Sequence, residues 1–229
     1  MLGLAKASVY DRLLRLGIQT QRGLKLRANN QRSDVRVPER SERLAELFGI
    51  LLGDGHISHF QVMVTLGTKE FAYAQYVQAL LRDIFGGIPK ISTSSRGYQT
   101  VYLGSTATVR WLKENGFVHN KVAAQVDVPK WVFEKREYMS SFIRGFFDTD
   151  GSVYRLRFGA QISITNNSEP LLISLQTMLR ALGYAASESS AHRIYLTKRD
   201  VVQRFFKEIR PANQKHQRRF RDIADAPVV

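Results

Sequence analysis

The sequence predicts an α+β protein of two tandem, pseudo-symmetric αββαββα halves, residues 41–138 and 139–229, behind a short basic helical arm over residues 1–40. Three observations predict it. A nine-residue phrase occurs twice, as Leu-Phe-Gly-Ile-Leu-Leu-Gly-Asp-Gly at 47–55 and as Ile-Arg-Gly-Phe-Phe-Asp-Thr-Asp-Gly at 143–151. The same order of hydrophobic periods follows each copy. The formal net charge is +14, which points to a polyanionic partner, nucleic acid before an anionic membrane surface.

The charge is concentrated at the two ends. Lys and Arg exceed Asp and Glu by six over residues 1–43, by two over 44–140 and by six over 141–229. There is no cysteine, which excludes disulfides, thiolate zinc sites and cysteine nucleophiles. No apolar run approaches the ~18 residues of a membrane span, and the first residues are too short for a signal sequence. A soluble, intracellular, non-secreted protein is expected.

In the arm, Val9, Leu13 and Leu16 recur at helical spacing up to Gly17, with Lys6, Arg12 and Arg15 mostly off that stripe. This stretch looks like the second helix of a helix-turn-helix module or a plain basic capping helix. Residues 19–40 read as a linker. A helix then runs from a Ser41 cap to Asp54, and a hairpin occupies about 56–66, where Val62, Val64 and Leu66 alternate with polar neighbours. Thr68 is expected to cap a second helix ended by Gly86 and Gly87. Strands near 89–94 and 98–103 and a helix over 106–115 complete the first half, and a tail at 126–131 leads onward. The second half replays this order. Strands fall near 152–158 and 160–165, with a helix capped by Asn167 or Ser168 and ended by Gly183. Strands near 184–189 and 192–197 and a helix over 199–209 follow.

Asp54 and Asp150 occupy matching places, 96 residues apart, each at a helix C-terminus. Free carbonyls and the macrodipole make that end partly negative, so a cation is the expected residue there. Two acids in this position at repeated sites suggest a place built to hold a divalent cation. Gly49 and Gly53 stand four apart, as do Gly145 and Thr149, so each helix has one face with little side chain. Such faces let two helices pack more closely than the usual 8–10 Å.

The two phrases resemble the LAGLIDADG motif, and the element order after each resembles the saddle of the LAGLIDADG homing endonucleases in their single-chain, two-motif form. The likeness covers about residues 41–221. Departures are Leu52 and Asp148 at the sixth motif position and Phe48 and Arg144 at the second. The eighth-position acids, Asp54 and Asp150, are both present.

The resemblance implies a monomeric, site-specific double-strand DNA endonuclease that straddles its target with an internal pseudo-twofold. Docked helices would bring Asp54 and Asp150 together, where they raise each other's pKa unless a cation neutralises them. With the carbonyls of Gly53 and Thr149 they form a hard oxygen site suited to Mg²⁺. Lys121 and Lys215 follow the last helix of each half, 67 and 65 residues past its acid. The resemblance places a basic residue of this kind at the border of the active site. Outward strand residues would supply the double-stranded DNA surface: His56, Ser58, Gln61, Thr65, Thr100 and Tyr102 in the first half. In the second half they would be Arg155, Arg157, Gln161, Ser163, Thr165, Arg193, Tyr195 and Thr197. Several of these types read base edges in the major groove. An intron RNA maturase and a non-catalytic DNA-binding transcriptional regulator of the same fold stay open as alternatives.

Overall fold

A computed structural model of the chain describes residues 35–157, 159–187 and 192–224, and Leu16 alone before them. The helix expected in the arm lies outside the described residues, as do 188 and 189 of the strand expected near 184–189.

The first half begins with α1 (Glu42–Gly53), β1 (Gly55–Ile57) and β2 (Gln61–Leu66), followed by α2 (Phe71–Phe85). It closes with β3 (Lys90–Thr93), β4 (Gln99–Gly104) and α3 (Thr106–Glu114). A 3₁₀ turn at Lys130–Glu134 links it to α4 (Arg136–Asp150). The second half continues with β5 (Gly151–Leu156), β6 (Gly159–Thr165), α5 (Glu169–Ala181), β7 (Arg193–Thr197), α6 (Arg199–Glu208) and α7 (Gln214–Ala224). Both sheets are antiparallel, ordered β1-β2-β4-β3 and β5-β6-β7. Helices α2 and α3 back the first sheet, and α5 and α6 back the second.

Ser41 caps α1 as its position predicts, its hydroxyl accepting the Leu44 N–H at 3.2 Å. Every residue of α1 from Leu44 to Leu52 is buried, because the helix is clamped between its own sheet and α4. Glycine makes this clamp possible. A Cβ on Gly49 would fall less than 3.0 Å from the carbonyl of Phe142 and the amide of Phe146, and one on Gly145 less than 3.0 Å from the carbonyl of Glu46. The two motif helices therefore touch backbone to backbone.

Three local expectations are corrected. Thr68 does not cap α2: residue Glu70 precedes the helix, and its carboxylate turns back to accept the Gly67 N–H at 2.6 Å. Residues 184–187 form no strand, and Ser187 instead pins the edge of β7 by donating its N–H to the carbonyl of Tyr195 at 2.9 Å. The chain also continues beyond α6 into α7, which carries only His216, Phe220 and Ile223 as an inner stripe at i, i+4 and i+7. No helix among the described residues is long and apolar enough to cross a membrane.

Candidate active site

Docking α1 against α4 delivers both helix ends to one place. Asp54 follows α1 and Asp150 ends α4, and a Cβ on Gly53 would lie 3.3 Å from Asp150 Oδ1. Burial, chiefly, pushes the Asp150 carboxyl up to about 6, and the charge of Asp54 adds to the rise. Burial likewise raises Asp54, with Glu70 adding and Lys215 and Lys121 opposing, even though Asp54 keeps an exposed tip. Two carboxylates and their surroundings thus disfavour their own ionisation, the condition a divalent cation relieves.

Lys121 reaches the centre from the segment after α3. Its Nζ donates to the carbonyls of Leu51 and Leu52 at 3.0 Å each and to that of Gly53. The ammonium therefore caps the negative end of α1, the task a C-terminal cation performs on any helix. Burial lowers the Lys121 pKa against the pull of Asp150 and Asp54. The Gly53 carbonyl, expected to face a metal, is engaged by this lysine. Thr149, beside it, turns its hydroxyl back onto the Phe146 carbonyl at 2.9 Å.

Lys215 stands on the other flank, where its Nζ meets Glu70 Oε1 at 2.9 Å. Asp54 feels Lys215 before Lys121, whereas Asp150 feels Lys121 before Lys215. Each acid is thus served more strongly by the lysine of the opposite half. A cleft of about 340 Å³ opens beside Asp150, lined by Gly53, Lys121, Thr165, Asn166 and Asn167 among others.

Several participants escaped the sequence. Asn166 donates its amide to Asp150 Oδ2 at 2.8 Å and fixes that carboxylate, whereas Asp54 is bonded through its backbone, its N–H donating to the Ile50 carbonyl at 3.0 Å. The Thr-Asn-Asn-Ser run at the end of β6 was the one available signal. Glu70 also accepts the Asn213 side-chain amide at 2.6 Å across 143 residues of chain, a distance no spacing rule covers.

Asp148, the departure at the sixth motif position, is fully buried and accepts the N–H groups of Ala212 at 2.8 Å and Asn213 at 3.0 Å. It clasps the start of α7 to α4 and so sets where Lys215 stands. Burial pushes its carboxyl up to about 8, against those two hydrogen bonds. Asp148→Ala strands the buried N–H of Asn213 and the half-buried N–H of Ala212, so a loss of about 3 kcal/mol is expected in urea unfolding, at ~1–3 kcal/mol per orphaned group. A loss below ~0.5 kcal/mol would show that the clasp contributes nothing.

The outer faces of the sheets agree with most expected positions. His56, Gln61, Thr65, Thr100 and Tyr102 have outward parity on the first sheet, opposite core-facing Ile57, Val62, Val64, Val101 and Leu103. Lys90 and Ser92 join them, paired with Tyr102 and Thr100, as does Met63. Ser58 is held in the hairpin turn, its hydroxyl accepting the Gln61 N–H at 3.1 Å. On the second sheet Gln161, Ser163, Thr165, Arg193, Tyr195 and Thr197 share the outward face.

Two basic residues do not share it. Arg155 pairs with buried Ala160 and takes the parity of core-facing Val153, and Arg157 lies in the turn after β5. Ser152 and Tyr154 occupy the outward places, because buried Val153 sets the alternation of β5. Tyr154 donates to Gln161 Oε1, and Gln161 Nε2 donates to Thr197 Oγ1 at 2.9 Å, which ties one row across three strands.

This geometry is the fold of the LAGLIDADG proteins. Residues 137–210 match the LAGLIDADG-like domain model, and about three quarters of the chain superposes on solved structures of that fold. Full-length DUF199/WhiA from Thermatoga maritima superposes with a TM-score of 0.56 at 17% identity, over 85% of this chain and 64% of that one. The chain therefore spans less than two thirds of that protein. Mesophilic variants of the homing endonuclease I-DmoI give 0.53 at 16% identity, over 73% of this chain and 94% of theirs. The LAGLIDADG meganuclease I-AabMI, bound to uncleaved DNA, gives 0.52 at 13% identity, over 79% and 89%. No curated protein matches by sequence.

Proposed function

We propose that the protein is a site-specific endonuclease of double-stranded DNA, acting as a monomer with Mg²⁺ held by Asp54 and Asp150. The observation that carries this reading is the convergence of two acids from adjoining helix ends, each within the field of two lysines. A helix–helix contact made only for stability has no use for carboxylates that burial raises. The donor set fits a hard cation: two carboxylates, with no thiolate in the chain. Among the described residues no group of three or more His, Asp or Glu converges, so Asp54 and Asp150 are the side chains that would hold the cation. When bound, the cation supplies Lewis-acid stabilisation of the reacting phosphate.

The chain's own residues do the remainder. The outward rows of both sheets enter the major groove and set register. Asn166 holds Asp150 in one orientation. Lys121 and Lys215 offset the negative charge that accumulates at the phosphate in the transition state.

A second reading, a DNA-binding protein of this fold without catalysis, is favoured by one feature. Both lysines already have protein partners, Lys121 the α1 carbonyls and Lys215 the Glu70 carboxylate. The deciding experiment incubates the protein with a pooled duplex library and Mg²⁺, beside an EDTA control, and sequences new ends. Recurrent ends with a short stagger, seen only with metal, are expected. Enrichment of bound duplexes without new ends would establish the second reading, and preference for structured RNA would overturn both.

A metal-free measurement checks the carboxylate pair independently. Asp150 has a folded pKa of about 6, above its ordinary 3.8, so the stability it contributes is complete below 3.8 and lost as pH rises through about 6. In EDTA, raising the pH from about 5 to about 8 should therefore cost the wild type more thermal stability than Asp150→Asn, by ~1–2 kcal/mol after allowance for its partial exposure. Equal pH slopes for the two proteins would remove this support.

A further inference from the structure

We infer that the exposed face of α7 binds the phosphate backbone of duplex DNA, continuing outward from the acid pair on the side of the second half alone. This rests on the DNA reading above and adds a contact outside the two sheets.

The helix is built for two different neighbours. Its inner stripe packs on the protein: His216 lies against Phe147 at 4.5 Å between ring centroids, and Phe220 stacks on Phe206 at 4.1 Å. Its first turn carries Lys215 to Glu70 and the field of Asp54. Beyond that point Arg218, Arg219 and Arg221 are exposed. Arg218 reaches only Gln214 Oε1, at 3.2 Å, and none of the three has an acidic partner among the described residues. Asp222, four and three positions after Arg218 and Arg219, pairs with neither.

A helix face that serves solvation alone mixes charge signs and gains from pairs at these spacings. Here Arg219 follows Lys215 by one turn, about 6 Å along the axis, so basic side chains recur along one column. That arrangement suits a polyanion whose charges recur along a line. The placement agrees: α7 packs beside β5, whose Ser152 and Tyr154 belong to the outward face of the second sheet. The first half has no such helix. Its segment after α3 consists of turns carrying Lys121.

The test measures affinity of the full chain in EDTA for a random-sequence duplex of about thirty base pairs across a salt series, since each phosphate contact contributes ~0.9 to the slope of log K against log salt. Replacing all three residues, as Arg218→Gln, Arg219→Gln and Arg221→Gln, should make the slope shallower by about two to three and weaken binding at least ~10-fold at low salt. Arg-to-Lys replacements at the same positions should restore most of the slope, which a packing role would not. The pair Arg110→Gln and Lys113→Gln, on exposed positions of α3 behind the first sheet, should leave it unchanged. A wild-type slope in the triple variant, or an equal fall in the α3 pair, overturns the inference about α7 and leaves the DNA reading standing. Absence of any duplex binding by the wild type sinks that reading, and the α7 contact with it.

Discussion

Asp150→Asn is expected to bind its DNA target within ~3-fold of wild type and to lose double-strand cleavage by ~10³-fold or more, the scale on which transition-state groups act. The same outcome is expected for Asp54→Asn. The substitution keeps the shape of the side chain and leaves Asn166 an oxygen to bond, so the fold around the helix ends is preserved. What disappears is the charge, and with it the affinity for a hard divalent cation. The two acids also differ in a testable way. The Asp150 carboxylate is gripped by Asn166, whereas the Asp54 carboxylate lies in the field of the Lys215–Glu70 pair. A supercoiled plasmid carrying the target separates the products, since nicked circles report one strand cut and linear DNA reports two. Linear product from either variant at the wild-type rate would end the catalytic proposal.

The pair could be read from sequence because it rests on repetition. Ser41 at a cap, the glycine-lined helix faces and the alternation of Val62, Val64 and Leu66 each follow from a local period, and local periods survive in a single sequence. Two of the expected saddle residues fall at other places in the second sheet. The alternation expected for Arg155 is off by one residue, because buried Val153 two residues earlier fixes its side of the strand. Thr68 failed for a different reason: a good capping residue lost to a carboxylate that folds back on Gly67.

The remainder depends on contacts between segments far apart in the chain. Asp148 meets Ala212 and Asn213 across 64 and 65 residues of the second half, and Glu70 meets Asn213 and Lys215 across the two halves. The sixth motif position illustrates the limit well. Leu52 and Asp148 look like interchangeable occupants of a tolerant site, but Asp148 anchors α7 and Leu52 is simply core.

Gly145→Val tests the close approach on which the acid pair depends. A Cβ at this position would sit less than 3.0 Å from the carbonyl of Glu46, a backbone atom of the facing helix. No rotamer change relieves an overlap with backbone, so α1 and α4 must separate or shift along one another. Overpacking a core typically costs ~1–3 kcal/mol, and a branched side chain against main chain belongs at or above the top of that range. A loss of about 4 kcal/mol is therefore expected in urea unfolding, a large part of the margin of a typical domain. The separation also weakens every interaction between the helix ends. If Gly145→Val still folds at low temperature, its Asp150 should behave as a more ordinary carboxyl, because burial and the charge of Asp54 both raise it now. The pH slope of stability in EDTA should then flatten toward that of Asp150→Asn, and stabilisation by Mg²⁺ should shrink. Gly116, where a Cβ meets nothing within 4 Å, supplies the comparison, although its φ of +88° makes any replacement there locally strained. Gly116→Ala should cost only ~1–2 kcal/mol and leave both the pH slope and the response to metal intact. Should Gly145→Val instead match Gly116→Ala in stability and keep the wild-type response to metal, tight docking of the two motif helices would not be what brings the carboxylates together.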